Sequence, residues 1–130
     1  MKIAYLDCFS GISGDMLLGA MIDAGMPSDV LDERLKALAL PAYEGIFFDK
    51  TMRVPLEAIA LKFRIANNQH IHRHLNDIIN IIQLAQLSDQ VKETSTRIFT
   101  CLAEAEAHVH GIEMGEVHFH EVGADDAILD

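Results

Sequence analysis

Positive charge is scarce in this sequence. Ten Lys and Arg stand against twenty Asp and Glu, a formal net charge of −10 with histidine neutral. Nucleic-acid backbones are held by clustered Lys and Arg, so that class of partner is excluded. Long apolar runs are missing as well. Charged residues interrupt every apolar stretch well short of the roughly 20 residues that cross a bilayer, which excludes a membrane-spanning helix. The first residues, MKIAYLDCFSG, offer one Lys and a short apolar run that meets Asp7. They lack the long apolar region and small-residue cleavage site of a secretory signal, so a cytoplasmic location is expected. Cysteine is limited to Cys8 and Cys101, too few for a disulfide framework, and both are expected as free thiols. Eight Gly and three Pro are too few for a low-complexity or disordered chain. The acidic balance suits cations, and equally suits an ordinary solubilising surface.

Half of the 130 residues are apolar. That is enough for a real core, and one domain covering residues 1–130 is expected. KIAYLDCF reads as a buried first strand and SGISGD as a turn. DMLLGAMIDA has helical periodicity and stops at Gly25 and Pro27. Ser28 is the expected N-cap of a second helix with Leu31, Leu35 and Leu38 as its stripe, ended by Pro41. GIFFDKTMRV and AIALKFRIA read as an antiparallel pair separated by Pro55, Leu56 and Glu57. A third helix is expected from Leu75 to Gln86 with Leu75, Ile78, Ile79 and Ile82 inward. A fourth is capped by Ser88, with Val91, Ile98, Leu102 and Val109 on its period, and Gly111 ends it. EVHFHEV reads as a strand and GADDAILD as a helix start. The predicted fold class is α/β in mixed α+β layers: a short sheet packed by about four helices, truncated at its C-terminal helix.

Three stretches can carry chemistry. In LDCFSGISGD a strand feeds a Gly- and Ser-rich turn and a helix start. Backbone N–H groups there favour an anion, which makes Ser10, Gly11, Ser13 and Gly14 a candidate phosphate cradle. The G-K-[ST] ending of a Walker loop and the G-x-G-x-x-G pattern are both absent, and a ligand-free turn is the competing reading. Asp15 either stabilises the helix start or holds a cation beside the phosphate. The seven histidines fall in three groups with i, i+2 spacing. In HIHRHLND an extended backbone puts His70, His72 and His74 on one face and Ile71 and Arg73 on the other, whereas a helix aligns only His70 with His74. In EVHFHEV, His118 and His120 share a face with Glu116, while Val117 and Phe119 take the other. Imidazoles with nearby carboxylates such as Glu121, Asp125 and Asp126 suit Ni²⁺ or Zn²⁺; solvated histidines on a half-buried strand are the alternative. His108 and His110 close the fourth helix, where they complement its dipole. No Ser/His/Asp triad or Cys/His dyad can be assigned from spacing.

LDCFSGISGDMLLGAMID, HRHLNDI and AEAHVHGIEMGEVHFHEVGADDAILD occur in that order, and together they resemble the N-terminal part of the LarC family over essentially the whole chain. That family inserts nickel during biosynthesis of the nickel-pincer nucleotide cofactor, which serves lactate racemase. The resemblance implies a CTP-dependent cyclometallase, a nickel-insertion enzyme of lyase or chelatase type. Its substrate is pyridinium-3,5-bisthiocarboxylic acid mononucleotide, and it uses Mn²⁺ or Mg²⁺ with CTP. The CTP-binding part belongs to the family's C-terminal region, absent from these residues, so that region is an expected partner and the fragment alone is not expected to turn over. A homo-oligomer is also expected.

On this resemblance the phosphate comes to Ser10, Gly11, Ser13, Gly14 and Asp15. Nickel comes to a subset of His70, His72, His74, His118 and His120. The proton lost on metalation goes to Glu121, Asp126 or a histidine. The ending departs from the family's EVGAVDSIVDIVG pattern, with Asp125 in place of an apolar residue and Ala127 in place of serine. Two other functions compete: a nickel metallochaperone module without chemistry, and a Zn²⁺-dependent hydrolase.

Overall fold

The computed structural model describes residues 1, 3–53, 55–66, 73–119 and 122–130. Among these, five α-helices and two separate two-stranded antiparallel sheets form a mixed α/β arrangement. In chain order they are α1 (Gly14–Asp23), α2 (Ser28–Lys36), β1 (Tyr43–Arg53), β2 (Leu56–Ile65), β3 (Arg73–His74), α3 (Leu75–Leu84), α4 (Asp89–His110), β4 (His118–Phe119) and α5 (Asp125–Leu129). A 3-10 turn, Met114–Glu116, precedes β4. None of the described helices is long and apolar enough to cross a membrane.

The long hairpin β1–β2 is the larger sheet, with a register shift between Tyr43 and Gly45. Helix α1 buries Gly19 and Ile22 and packs on β2, its Gly19 lying against the Ile59 carbonyl. Helix α2 is fixed to β1 by the Tyr43 hydroxyl, which donates to Asp32 at 2.6 Å. Leu31 and Leu35 supply its buried stripe, the i, i+4 spacing that places two side chains on one face. Helix α3 buries Leu75, Ile78 and Ile82 against α4. The Phe99 ring of α4 meets Phe119 of β4 edge-on at 6.3 Å. Ser88 caps α4 by accepting from the Val91 N–H, as its sequence predicts. One apolar cluster joins α1, α2, β2, α3, α4, β4 and α5.

Several expectations are corrected. KIAYLDCF is not a buried strand: residues 3–8 have no regular structure, and Ile3 and Phe9 are 80% and 93% exposed. A strand needs a neighbour to satisfy its backbone, and no described strand pairs with it. Ser28 is the first residue of α2, after Pro27 at the cap. Leu56 already belongs to β2, and α3 stops at Leu84 rather than Gln86. On α4 the buried residues are Phe99 and Ala103, while Val91, Ile98, Leu102 and Val109 are exposed. Of the strand expected over EVHFHEV, the described residues show His118–Phe119 as strand, residues 120 and 121 lie outside the described residues, and Glu116 sits in the 3-10 turn.

Candidate metal and substrate site

The small sheet brings the two distant histidine motifs together. β3 and β4 pair with Arg73 opposite Phe119 and His74 opposite His118. The His74 and His118 rings lie 3.9 Å apart between centroids, tilted by 47°. The alternation expected for the terminal motif holds over the described residues: Val117 and Phe119 are buried and His118 is exposed. Two anchors orient His74. Its backbone N–H donates to the Asp77 carboxylate at 2.9 Å, and its Nδ1 lies 3.2 Å from the Val117 carbonyl. In the tautomer that donates from Nδ1, Nε2 keeps its lone pair for a metal; such a carbonyl partner is the usual support of a ligating imidazole.

His70, His72, His120 and Glu121 lie outside the described residues. Among the described residues no group of three or more His, Cys, Asp or Glu is placed to hold a metal ion. His74 and His118 therefore make a two-nitrogen set among the described residues. His108 and His110 end α4, and His110 Nε2 stands 3.2 Å from Glu106 on an exposed face.

A second grouping forms where α1 begins. Asp15, Asp126 and Asp130 line a cleft of about 500 Å³ with Lys62 and an apolar wall of Phe47, Leu61, Phe63 and Ile65. The Gly14 backbone is pressed against Asp130, and a Cβ on Gly14 would fall 2.5 Å from the Asp130 Cβ. This start of α1 admits only glycine without movement of Asp130. Ser13 donates its hydroxyl to Asp15, and the Met16 N–H donates to the same carboxylate at 2.8 Å. Partial desolvation of a side chain that remains exposed, then the carboxylates of Asp15 and Asp126, push the Asp130 carboxyl above its ordinary value; the Asp15 backbone N–H offsets part of this. Asp126 is exposed and accepts from the Ala127 N–H at 2.9 Å. Gly11 N–H donates to the Cys8 carbonyl at 2.9 Å, closing the turn before α1, while Ser10 is exposed. The anion-favouring helix start thus already faces carboxylates of its own chain.

Three residues of these sites escape a reading by motif. Lys62 is the cation lining the cleft, and only tertiary packing brings β2 to Asp15. Asp130 carries no motif of its own. Arg73 stands between histidines, and its partners are 50 and 52 positions away. The signal for Arg73 was present: alternation turns it away from the histidine face, and a buried guanidinium requires an anion.

The profile of the nickel insertion protein family matches residues 4–130. The chain is 50% identical over 130 residues to the pyridinium-3,5-bisthiocarboxylic acid mononucleotide nickel insertion protein of Desulfitobacterium hafniense, covering 100% of this chain and 32% of that protein. It is 45% identical over 139 residues to the protein of the same name in Geobacillus kaustophilus, covering 100% and 34%. It is 48% identical over 132 residues to a putative nickel insertion protein of Geotalea uraniireducens, covering 100% and 33%. The chain thus spans about a third of the length of these curated relatives. No solved structure matches.

Proposed function

Because the chain belongs to the nickel insertion protein family, we propose that it is one domain, the N-terminal nickel- and substrate-binding part of an enzyme that loads nickel into pyridinium-3,5-bisthiocarboxylic acid mononucleotide. The observation that carries this reading is the meeting of His74 and His118 across β3 and β4, with their rings 3.9 Å apart. Nickel is the cargo. It is received by these two imidazoles, joined by a subset of His70, His72 and His120. Imidazole suits Ni²⁺, and a set that is not closed leaves positions for the thiocarboxylate sulfurs of the substrate.

The turn Ser10, Gly11, Ser13, Gly14 receives the nucleotide phosphate, with Lys62 supplying positive charge in the neighbouring cleft that Asp15 lines. Phosphate takes the place of the Asp130 carboxylate at the start of α1, and Asp15 stays with the helix. Forming a carbon–nickel bond breaks the pyridinium C–H bond, and the proton goes to a base. Asp126, exposed at the cleft, and Glu121 are the assigned acceptors. CTP and its Mn²⁺ or Mg²⁺ belong to the remaining two-thirds of the protein. In this reading the enzyme is of lyase or chelatase type, is cytoplasmic, works as a homo-oligomer, and needs that remaining part for turnover.

The two-nitrogen set favours a second reading, a nickel-holding module that delivers the ion without chemistry of its own. Nickel binding is common to both. Calorimetric titration of the metal-free chain with Ni²⁺ at about pH 7.5 and about pH 5.5 brackets the ordinary imidazole pKa of about 6.5. Binding near one ion per chain at the higher pH, lost at the lower, is expected, because a ligating imidazole must be neutral. Equal binding at both values removes the histidines from the site. Formation of nickel-bound cofactor by the chain with its C-terminal part and CTP then separates enzyme from carrier.

A further inference from the structure

Among the described residues, the sheet that joins the two histidines is very short. β3 and β4 contribute two residues each, and even a full isolated two-stranded hairpin is marginal in water. Beyond the contact of His74 Nδ1 with the Val117 carbonyl, a further contact is needed to keep His74 opposite His118. We propose that Arg73 is that contact, a positioning residue whose guanidinium locks the histidine edge without touching nickel. This rests on the reading of His74 and His118 as nickel ligands.

Arg73 precedes His74 and turns to the opposite side of the strand. Its Nη1 donates to the Gly123 carbonyl at 2.6 Å, and its Nη2 donates to Asp125 Oδ1 at 2.5 Å. The two side chains are only 11% and 5% exposed. A planar fork that reaches a carbonyl and a carboxylate two residues apart fixes direction as well as distance. The segment so held is the one that leaves β4 and returns to α5. Gly123 is the reason it can approach. A Cβ there would fall 2.7 Å from the Phe119 carbonyl oxygen and 3.2 Å from the Arg73 nitrogen. Phe119 in turn is the register partner of Arg73. Arg73, Phe119 and Gly123 thus form one closed contact, and His74 and His118 are each the immediate chain neighbour of one of its members. Asp125, which stands where the resemblance leads one to expect an apolar residue, is the counter-charge that lets Arg73 be buried.

Lysine cannot reproduce this, because an ammonium is a point charge on a flexible stem. Arg73→Lys tests direction. Arg73→Met with Asp125→Val removes both charges at similar total volume, a replacement that buried ion pairs tolerate in stability. His74→Ala with His118→Ala tests the underlying reading. Each variant is titrated with Ni²⁺, its thermal midpoint is measured, and the metal-free protein is examined by NMR for the ring-to-ring Overhauser contact of His74 and His118.

Both Arg73 variants are expected to stay folded, to lose that contact, and to bind Ni²⁺ about 10- to 100-fold more weakly, the usual cost of removing a support of a ligating side chain. Folded Arg73 variants that keep the ring contact and the wild-type affinity overturn the proposal. Affinity that falls only in variants already unfolded at the assay temperature overturns it too. If the histidine double variant binds Ni²⁺ as well as the wild type, the nickel reading fails instead, and the ring contact alone still decides whether Arg73 positions the pair.

Discussion

Asp130 and Asp32 carry acid–base consequences of opposite sign. Partial desolvation and the carboxylates of Asp15 and Asp126 raise the Asp130 pKa, so the folded chain holds that proton more tightly than the unfolded chain. The cost of ionising it is absent below the unfolded value of about 3.9 and appears as pH rises through the folded value. Asp130→Asn is therefore expected to raise the thermal midpoint at neutral pH and to leave it unchanged on the acid limb. Asp32 runs the other way. The hydrogen bond from Lys36, then that from Tyr43, lowers its pKa. Its contribution is present above the unfolded value and lost as pH falls through the folded one. Asp32→Asn is expected to cost about 1 kcal/mol at neutral pH, the net worth of a typical hydrogen bond. Thermal melts of both variants at about pH 7 and about pH 3, either side of the ordinary carboxylate value, check the signs. Burial first, then the bond to Asp32, holds the Tyr43 phenol well above its usual range, so the bond between Tyr43 and Asp32 persists throughout the neutral range.

At the level of elements, Ile78 and Gly123 separate two kinds of stability. Ile78 is 0% exposed on α3, and Ile78→Ala leaves a cavity in a close-packed interior, expected to cost about 2–5 kcal/mol. Gly123→Ala adds a methyl where the Phe119 and Arg73 backbones already touch, expected to cost about 1–3 kcal/mol by overpacking. Urea unfolding gives both, and the second change alone should also disturb the His74–His118 contact. These elements differ in how far sequence reveals them. The helices and the β1–β2 hairpin are local: periodicity, the Ser88 cap and Pro55 near the hairpin turn announce them. The first strand fails because a strand is a property of its neighbour, and the apolar run at Ile3, Tyr5 and Leu6 says nothing about which neighbour is there. β3 and β4 lie between, since residue type picks out His74 and His118 while their pairing spans 44 residues and no local pattern encodes it. The carboxylate cleft is less legible still, because Asp15 and Asp130 belong to opposite ends of the sequence.

At the scale of the fold, two of the regions where described apolar residues face water stand out. One is the segment with Ile3, Tyr5, Leu6 and Phe9; the other is the α4 stripe of Val91, Ile98, Leu102 and Val109, where Val109 is 77% exposed. The stripe borders a groove of about 240 Å³ whose walls include Ile98 and Leu102 on one side and Val122, Ala127 and Ile128 on the other. Scattered exposed apolar residues are ordinary in a soluble domain, but a contiguous patch marks a surface with something to bind. The chain spans about a third of its curated relatives, and the core at Ile78 and Phe99 is buried while these outer faces are exposed. The 130-residue chain is therefore expected to bind an environment-sensitive apolar dye under native conditions, with a cooperative melt. Ile98→Glu with Leu102→Glu should remove much of that binding and leave the thermal midpoint nearly unchanged, because surface substitutions away from packed features usually shift stability by no more than about 0.5 kcal/mol. Ile78→Ala should do the reverse, lowering the midpoint without reducing dye binding by the folded chain. If the glutamate pair instead melts the protein, the stripe belongs to the core and the groove is closed in solution.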